Sequence, residues 1–119
     1  MTIDDLLAEH TPDVAELTRR LRDAIRAGHP VLSERVYPGW HGIGFHHPQA
    51  GYVCALFPAD DRVRLGFEHG HLLGDTDGLF DGDGAQVRYV TLTEWRPDLI
   101  ESLTELIDEA IELRSDPGS

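Results

Sequence analysis

The sequence predicts a two-layer α+β domain, in which a curved, mainly antiparallel sheet of about five strands is covered on one face by N-terminal and C-terminal helices. Helical stripes of apolar residues lie near both ends of the chain, and short alternating segments separated by turns fill its middle. The connections between those segments are too short for parallel crossovers. We expect residues 1–114 to form one domain and residues 115–119 to fray.

Capping residues and apolar spacing predict the helices. Thr2 is a favourable N-cap for a helix over residues 3–10, and Thr11 precedes a second helix over residues 12–27. A third helix is expected over residues 97–113. The apolar stripe of the second helix consists of Val14, Leu17, Leu21 and Ile25, and that of the third of Leu99, Ile100, Leu103, Leu106, Ile107, Ala110 and Ile111.

The middle of the chain predicts short strands. They are expected over residues 31–37, 40–46, 52–57, 62–68 and 86–93. The Gly- and Asp-rich connection between the last two strands predicts an ordered loop built of turns, although it is long enough to hide a crossover. If the helices cover one sheet face, the other face forms a cleft where it curls, or a dimer surface where it stays flat and apolar.

Composition limits the partners. The net charge of −12 over 119 residues argues against nucleic acid and anionic membranes as partners. A single cysteine, Cys54, excludes an internal disulfide and a Cys-based zinc site, and its apolar strand argues against a nucleophile. No apolar run approaches the roughly 18 residues of a membrane span. Asp4 and Asp5 stand where a signal peptide would carry positive charge, so a cytoplasmic protein is expected.

The segment around the first predicted turn is the candidate ligand-binding region. Tyr37, Trp40 and His41 combine large contact area with polar tips beside a Pro-Gly turn. Arg64 and Arg88 lie on later strands of the same sheet, and we expect all five residues to border a sheet-side cleft. The alternative for Trp40 is a core anchor, which is the usual use of tryptophan in a small domain.

A His-x-His pair is the candidate metal site. On an extended segment, His69 and His71 would point to the same side, and Glu68 and Asp75 could add oxygen ligands. The alternative is two solvated imidazoles at the end of a strand. A calcium loop beginning at Asp75 is excluded, because Leu79 and Phe80 stand where an EF-hand needs an oxygen ligand and then glycine.

Five segments of the chain together form a recognisable pattern. They are ERVYPGWHGIGF at residues 34–45, VRLGF at 63–67, GHLLGD at 70–75, GLFDGDG at 78–84 and VRYV at 87–90, followed by the final helix. This pattern resembles the YdhG-like family of small bacterial domains of unknown function. The resemblance implies a compact α+β fold with a curved antiparallel sheet and terminal helices. Through frataxin-like relatives, it also implies a link to iron handling.

These observations predict two functions. The first is a non-enzymatic module that binds a small molecule or a protein partner in the sheet-side cleft. The second is a metal-handling protein that uses carboxylates and the His69/His71 pair to hold iron or another divalent cation. An enzyme is a third possibility, but no motif marks a catalytic residue and none requires a cofactor.

Overall fold

The computed structural model describes residues 1–75, 77–81 and 86–115, and it contains one antiparallel sheet of five strands. Each strand pairs with the next one along the chain, so the sheet is a meander. This confirms the predicted α+β fold. The direct antiparallel pairing of the last two strands shows that the loop between them hides no crossover. The strands are β1 (Ser33–Tyr37), β2 (Gly42–His47), β3 (Gly51–Pro58), β4 (Val63–Phe67) and β5 (Arg88–Leu92).

Three α-helices accompany the sheet: α1 (Ile3–Leu7), α2 (Pro12–Gly28) and α3 (Ile100–Ser115). Thr2 and Asp5 form a capping box at α1, and the Thr11 side chain accepts a hydrogen bond from the backbone N–H of Val14 at α2. Helix α1 ends three residues earlier than predicted, and the chain leaves it through a turn that brings His10 to the β3–β4 connection.

The C-terminal helix also differs from its prediction at both ends. Residues Pro97–Leu99 form a 3₁₀ turn before α3 begins. Helix α3 then continues to Ser115. Residues 116–119 lie outside the described residues.

The apolar stripes of α2 and α3 pack on one face of the sheet. They meet the strand residues that alternate toward that face in a single cluster whose buried members are at most 7% exposed, and the partly buried Leu99, Ile100 and Ile111 pack against it. Burying a leucine, isoleucine or phenylalanine contributes about 1.5–3 kcal/mol each, so this layer supplies the main stabilisation of the domain. Its central members are Leu17, Leu21, Ile43, Phe45, Leu56, Leu65, Phe67, Leu103 and Ile107.

The start of β2 matters for the site. Trp40 and His41 lie in the turn between β1 and β2 and not in a strand, because His41 adopts a positive φ of 53° that extended backbone does not allow.

Within the described residues, no helix has both the length and the apolar character that a bilayer crossing requires.

Candidate functional site: an aromatic groove on the open sheet face

A row of small residues crosses the centre of the sheet face that the helices leave uncovered. The register aligns Arg35, Gly44, Ala55, Gly66 and Tyr89 across the five strands. The three central residues carry at most a methyl group, so the sheet surface there lies close to the level of the backbone. Rings from neighbouring strands lie over two of these residues, Tyr37 over Gly44 and Tyr89 over Gly66, and a groove opens among the rings.

This groove has a volume of about 400 Å³. We call it the aromatic groove, because most of its lining consists of ring side chains. The lining residues are Tyr37, Trp40, His46, Tyr52, Phe57, Gly66, Glu68, Val87 and Tyr89.

The glycines of the central row allow the rings to lie against the sheet. A Cβ atom on Gly44 would stand 2.6 Å from Cε2 of Tyr37, and one on Gly66 would stand 2.8 Å from Cε1 of Tyr89. Both distances are shorter than any van der Waals contact between carbon atoms. Glycine is therefore needed at these two positions for the present positions of the tyrosine rings.

A bulge between β2 and β3 directs Tyr52 into the groove. Phe45 pairs with Cys54, whereas the next residue of β2, His46, pairs with Tyr52, so Val53 is the extra residue. Val53 is 2% exposed and belongs to the core. Without the bulge, strict alternation would turn Tyr52 toward the helices, and re-aiming a side chain in this way is a known consequence of bulges.

Trp40 forms the rim of the groove. Its ring stacks on that of Tyr37 with centroids 4.5 Å apart and an interplanar angle of 23°, and it meets Tyr52 edge-on at 6.0 Å. Trp40 is nevertheless 56% exposed. The expectation that this residue anchors the core is therefore wrong, because the turn that carries it lies outside the helix-covered layer.

Two polar side chains in the groove remain neutral at pH 7. The Tyr37 hydroxyl lies 2.7 Å from Nε2 of His46. Burial, followed by the nearby Arg35, lowers the pKa of His46 below its usual value of 6.5. Burial raises the pKa of the Tyr52 hydroxyl well above its ordinary range. The neutral imidazole is thus able to accept the Tyr37 proton in a hydrogen bond.

Formal charge is scarce among the groove's described lining residues, where Glu68 is the one carboxylate and no arginine is present. One of its oxygens, Oε2, lies 3.3 Å from Nη1 of Arg114 at the end of α3. Two arginines border the groove without lining it. The guanidinium carbon of Arg64 lies 3.8 Å from the centroid of the Tyr89 ring, and that of Arg35 lies 5.4 Å from that of Tyr37.

Of the five predicted ligand-binding residues, the structure brings three together. Tyr37 and Trp40 line the groove, and Arg64 lies on its border over Tyr89. His41 lies elsewhere, with its Nε2 atom 2.6 Å from that of His10, so that it links the turn after α1 to the β1–β2 turn.

Arg88 also lies outside the groove. The register places it beside Phe67, whose side chain faces the helices, so the next residue, Tyr89, faces the groove instead. The Arg88 side chain packs against Gly70 so closely that a Cβ atom added to Gly70 would collide with it.

The sequence prediction missed most of the lining, namely His46, Tyr52, Phe57, Glu68, Val87 and Tyr89. One available signal was glycine in the interior of strands rich in aromatic residues, at Gly44 and Gly66. The bulge that turns Tyr52 has no comparable signal.

The predicted metal-binding histidines do not lie on an extended segment. Residues Gly70–Leu72 form a 3₁₀ turn, and the rings of His69 and His71 lie 6.3 Å apart between centroids. Each ring contacts Gln86. Nδ1 of His69 lies 2.9 Å from the Gln86 side-chain nitrogen, and Nδ1 of His71 lies 3.1 Å from the Gln86 backbone carbonyl oxygen. The expectation that an extended segment places the two rings on the same side therefore does not apply here.

Asp75, the third predicted metal ligand, closes a turn. Its carboxylate accepts hydrogen bonds from the backbone N–H groups of Leu79 and Phe80, at 2.7 and 3.0 Å. In residues 1–75, 77–81 and 86–115, no group of three or more histidine, cysteine or acidic side chains is arranged to hold a metal ion. The calcium-loop comparison extends to residues 82–85, which lie outside the described residues. Metal binding stays a prediction.

Comparisons with protein-family models, with curated proteins and with solved structures give no match to this chain.

Proposed function

We propose that this domain is a binding module that takes up a small organic molecule in the aromatic groove. The observation that carries the proposal is the exposed Trp40 ring, stacked on Tyr37 at the rim of a groove of about 400 Å³. Small-molecule sites have volumes of about 300–1,000 Å³ and combine apolar or aromatic walls with a few polar groups. The Tyr37 and Tyr52 hydroxyls, His46 and Glu68 supply such polar groups here.

A role in binding is favoured over catalysis by the position of the most nucleophilic residue type. The Cys54 side chain is fully buried on the helix-covered face, and burial raises the pKa of its thiol. A thiol in this state does not ionise near pH 7, and it has no access to a ligand in the groove.

We also propose that the chain is a YdhG-like domain and that it works in the cytoplasm. The five resembling segments support the first statement. The unpaired Cys54 agrees with a reducing compartment. Neither nucleic acid nor membrane is proposed as a partner, because the net charge of −12 opposes both.

A thermal-shift screen of small metabolites tests the proposal, with a parallel titration of iron, zinc and nickel salts. A ligand that binds only the folded protein raises its melting temperature by mass action. We expect at least one organic compound to raise it in the wild type and to have a much weaker effect in the Trp40→Ala variant. The matched control is Trp95→Phe, which changes a tryptophan outside the groove.

The opposite pattern would contradict the proposal. A stabilisation by metal ions alone, independent of Trp40 and lost in the His69→Ala, His71→Ala double variant, would favour the metal-handling function instead. Sedimentation of the same samples identifies self-association through the groove, which would show a second copy as its occupant.

A further inference from the structure

We infer that the ligand of the aromatic groove is an organic carboxylate, a single carboxylate group attached to an apolar body, and that Arg64 binds the carboxylate. The inference rests on the proposed function, since it names the class of molecule that the same site would bind. It follows from two arginines on the borders of the groove that pair with no acidic side chain of the described residues.

The pairing of the arginines is the first argument. Within the described residues, most arginines of this chain form a salt bridge with a carboxylate. Arg35 and Arg64 form none there, and each lies over a tyrosine ring of the groove instead. Acidic residues outnumber basic ones by 22 to 10, so carboxylate partners are plentiful on this chain. Two guanidinium groups without such a partner beside one groove therefore indicate a site for an external anion.

The stacked position of Arg64 is the second argument. Its guanidinium carbon lies 3.8 Å from the centroid of the Tyr89 ring, closer than the 5.4 Å between Arg35 and Tyr37. Stacking uses the flat face of the guanidinium and leaves the N–H groups at its edge available. None of these groups donates a hydrogen bond to another described residue. Arg64 thus presents an ordered fork of donors, which matches the two oxygens of a carboxylate.

The negative charges of the chain leave this site open to one carboxylate. Glu68 lies four residues beyond Arg64, about 13 Å along an extended chain, and Arg114 contacts it. More distant exposed charges are screened beyond about 8 Å at physiological ionic strength. A polyanion or a phosphate dianion meets the repulsion of the net charge of −12 several times over, so a single carboxylate is favoured.

The spacing of the rings limits the size of the ligand. Tyr37 and Tyr89 lie over Gly44 and Gly66, which stand two strand spacings apart, about 10 Å. That distance is comparable to the length of a phenyl ring with a three-carbon chain, and a groove of about 400 Å³ accommodates such a molecule. An apolar body held among the rings beside the exposed Trp40 would thus have its carboxylate within reach of Arg64.

Three probes of similar shape test the inference: 3-phenylpropionate, 3-phenylpropionamide and 3-phenylpropylammonium, which are anionic, neutral and cationic at pH 7. Binding is followed by fluorescence in the full chain carrying Trp95→Phe, so that Trp40 is the single emitting indole. We expect the carboxylate to bind about tenfold more tightly than the amide, because a hydrogen bond to a charged group exceeds a neutral one by about that ratio. The ammonium compound should bind most weakly.

Substitutions of the arginines separate a local contact from the charge of the whole chain. Arg64→Gln should weaken binding of 3-phenylpropionate about tenfold and leave the amide unchanged. Arg64→Lys keeps the charge without the planar fork, and it should weaken the carboxylate about threefold. Arg62→Gln is the matched control, because it removes the same charge from an exposed arginine that pairs with Asp61. Unchanged binding of the amide shows that the groove of each variant remains folded.

The possible outcomes distinguish the inference from the proposed function. Preference for the carboxylate, abolished by Arg64→Gln and retained in Arg62→Gln, supports it. Equal binding of carboxylate and amide, tightest binding of the ammonium compound, or equal losses in the two glutamine variants overturns it and leaves the groove as a binding site. No binding of 3-phenylpropionate also overturns it, and the proposed function then fails only if the metabolite screen gives no shift that depends on Trp40.

Discussion

Replacing Gly44 by alanine tests whether the aromatic groove needs a central row without side chains. The new Cβ atom would stand 2.6 Å from Cε2 of Tyr37, so the ring must swing away. Movement of Tyr37 breaks its hydrogen bond to His46, worth about 1 kcal/mol, and its stacking on Trp40, worth about 1 kcal/mol. Alanine returns about 0.5 kcal/mol by restricting the unfolded chain. We expect a net destabilisation of about 1.5 kcal/mol.

Urea denaturation followed by circular dichroism measures this change, and the melting temperature should fall by about 6 °C. The emission of Trp40 should shift to longer wavelength as its stack opens. Gly39→Ala is the matched control, because a Cβ atom there meets nothing within 4 Å. In a Tyr37→Ala background, Gly44→Ala should cost nothing. A Gly44→Ala protein with wild-type stability and unchanged Trp40 emission would refute the reasoning.

Two further predictions concern side-chain contacts that join different elements. Hydrogen bonding by Arg22 holds the pKa of Glu34 below its usual value of 4.5, so the stability that this carboxylate contributes is complete above that pH and is lost as the pH falls through the lower pKa of the folded state. Glu34→Gln should lower the free energy of unfolding at pH 7 by about 1.5 kcal/mol and flatten its acid dependence, whereas the exposed Glu16→Gln should change it by less than about 0.5 kcal/mol. Asp108→Ala should lower the free energy of unfolding, measured by urea denaturation, by about 1–3 kcal/mol, because it removes the hydrogen-bond partner of the buried His29 imidazole. Within the described residues, the other ring nitrogen of His29, Nδ1, has no hydrogen-bond partner. A smaller loss than after Glu16→Gln would contradict this prediction.

Local signals were sufficient to predict most of the fold. Thr2 and Thr11 cap helices where capping chemistry places them, and the short connections among the first four strands predicted antiparallel neighbours there. The boundaries were less predictable where a distant contact decides them. Helix α1 ends early because His10 turns away to contact the carbonyl oxygen of Ala59, which lies 49 positions later in the chain.

The groove was only partly predictable, because it depends on register. Gly44, Ala55 and Gly66 become neighbours only when three strands are aligned, and the pattern of one strand does not contain that alignment. Tyr52 faces the groove through a bulge, which reverses the direction that alternation assigns. Arg88 shows the same limit. A difference of one residue along a strand decides which sheet face a side chain occupies, and the structure places Tyr89, the neighbour of Arg88, on the groove side.

The position of helix α3 at the end of the described fold has a consequence for synthesis on the ribosome. Each strand can pair with its predecessor as it emerges, because all pairings join consecutive strands. Val53 and Phe67, however, pack beside Ala110 of α3, so their apolar surface remains exposed to solvent until α3 has been translated. A nascent chain paused before Ile100 would thus expose an apolar sheet face that chaperones can bind. The risk of aggregation is highest in the interval between the translation of β5 and that of α3.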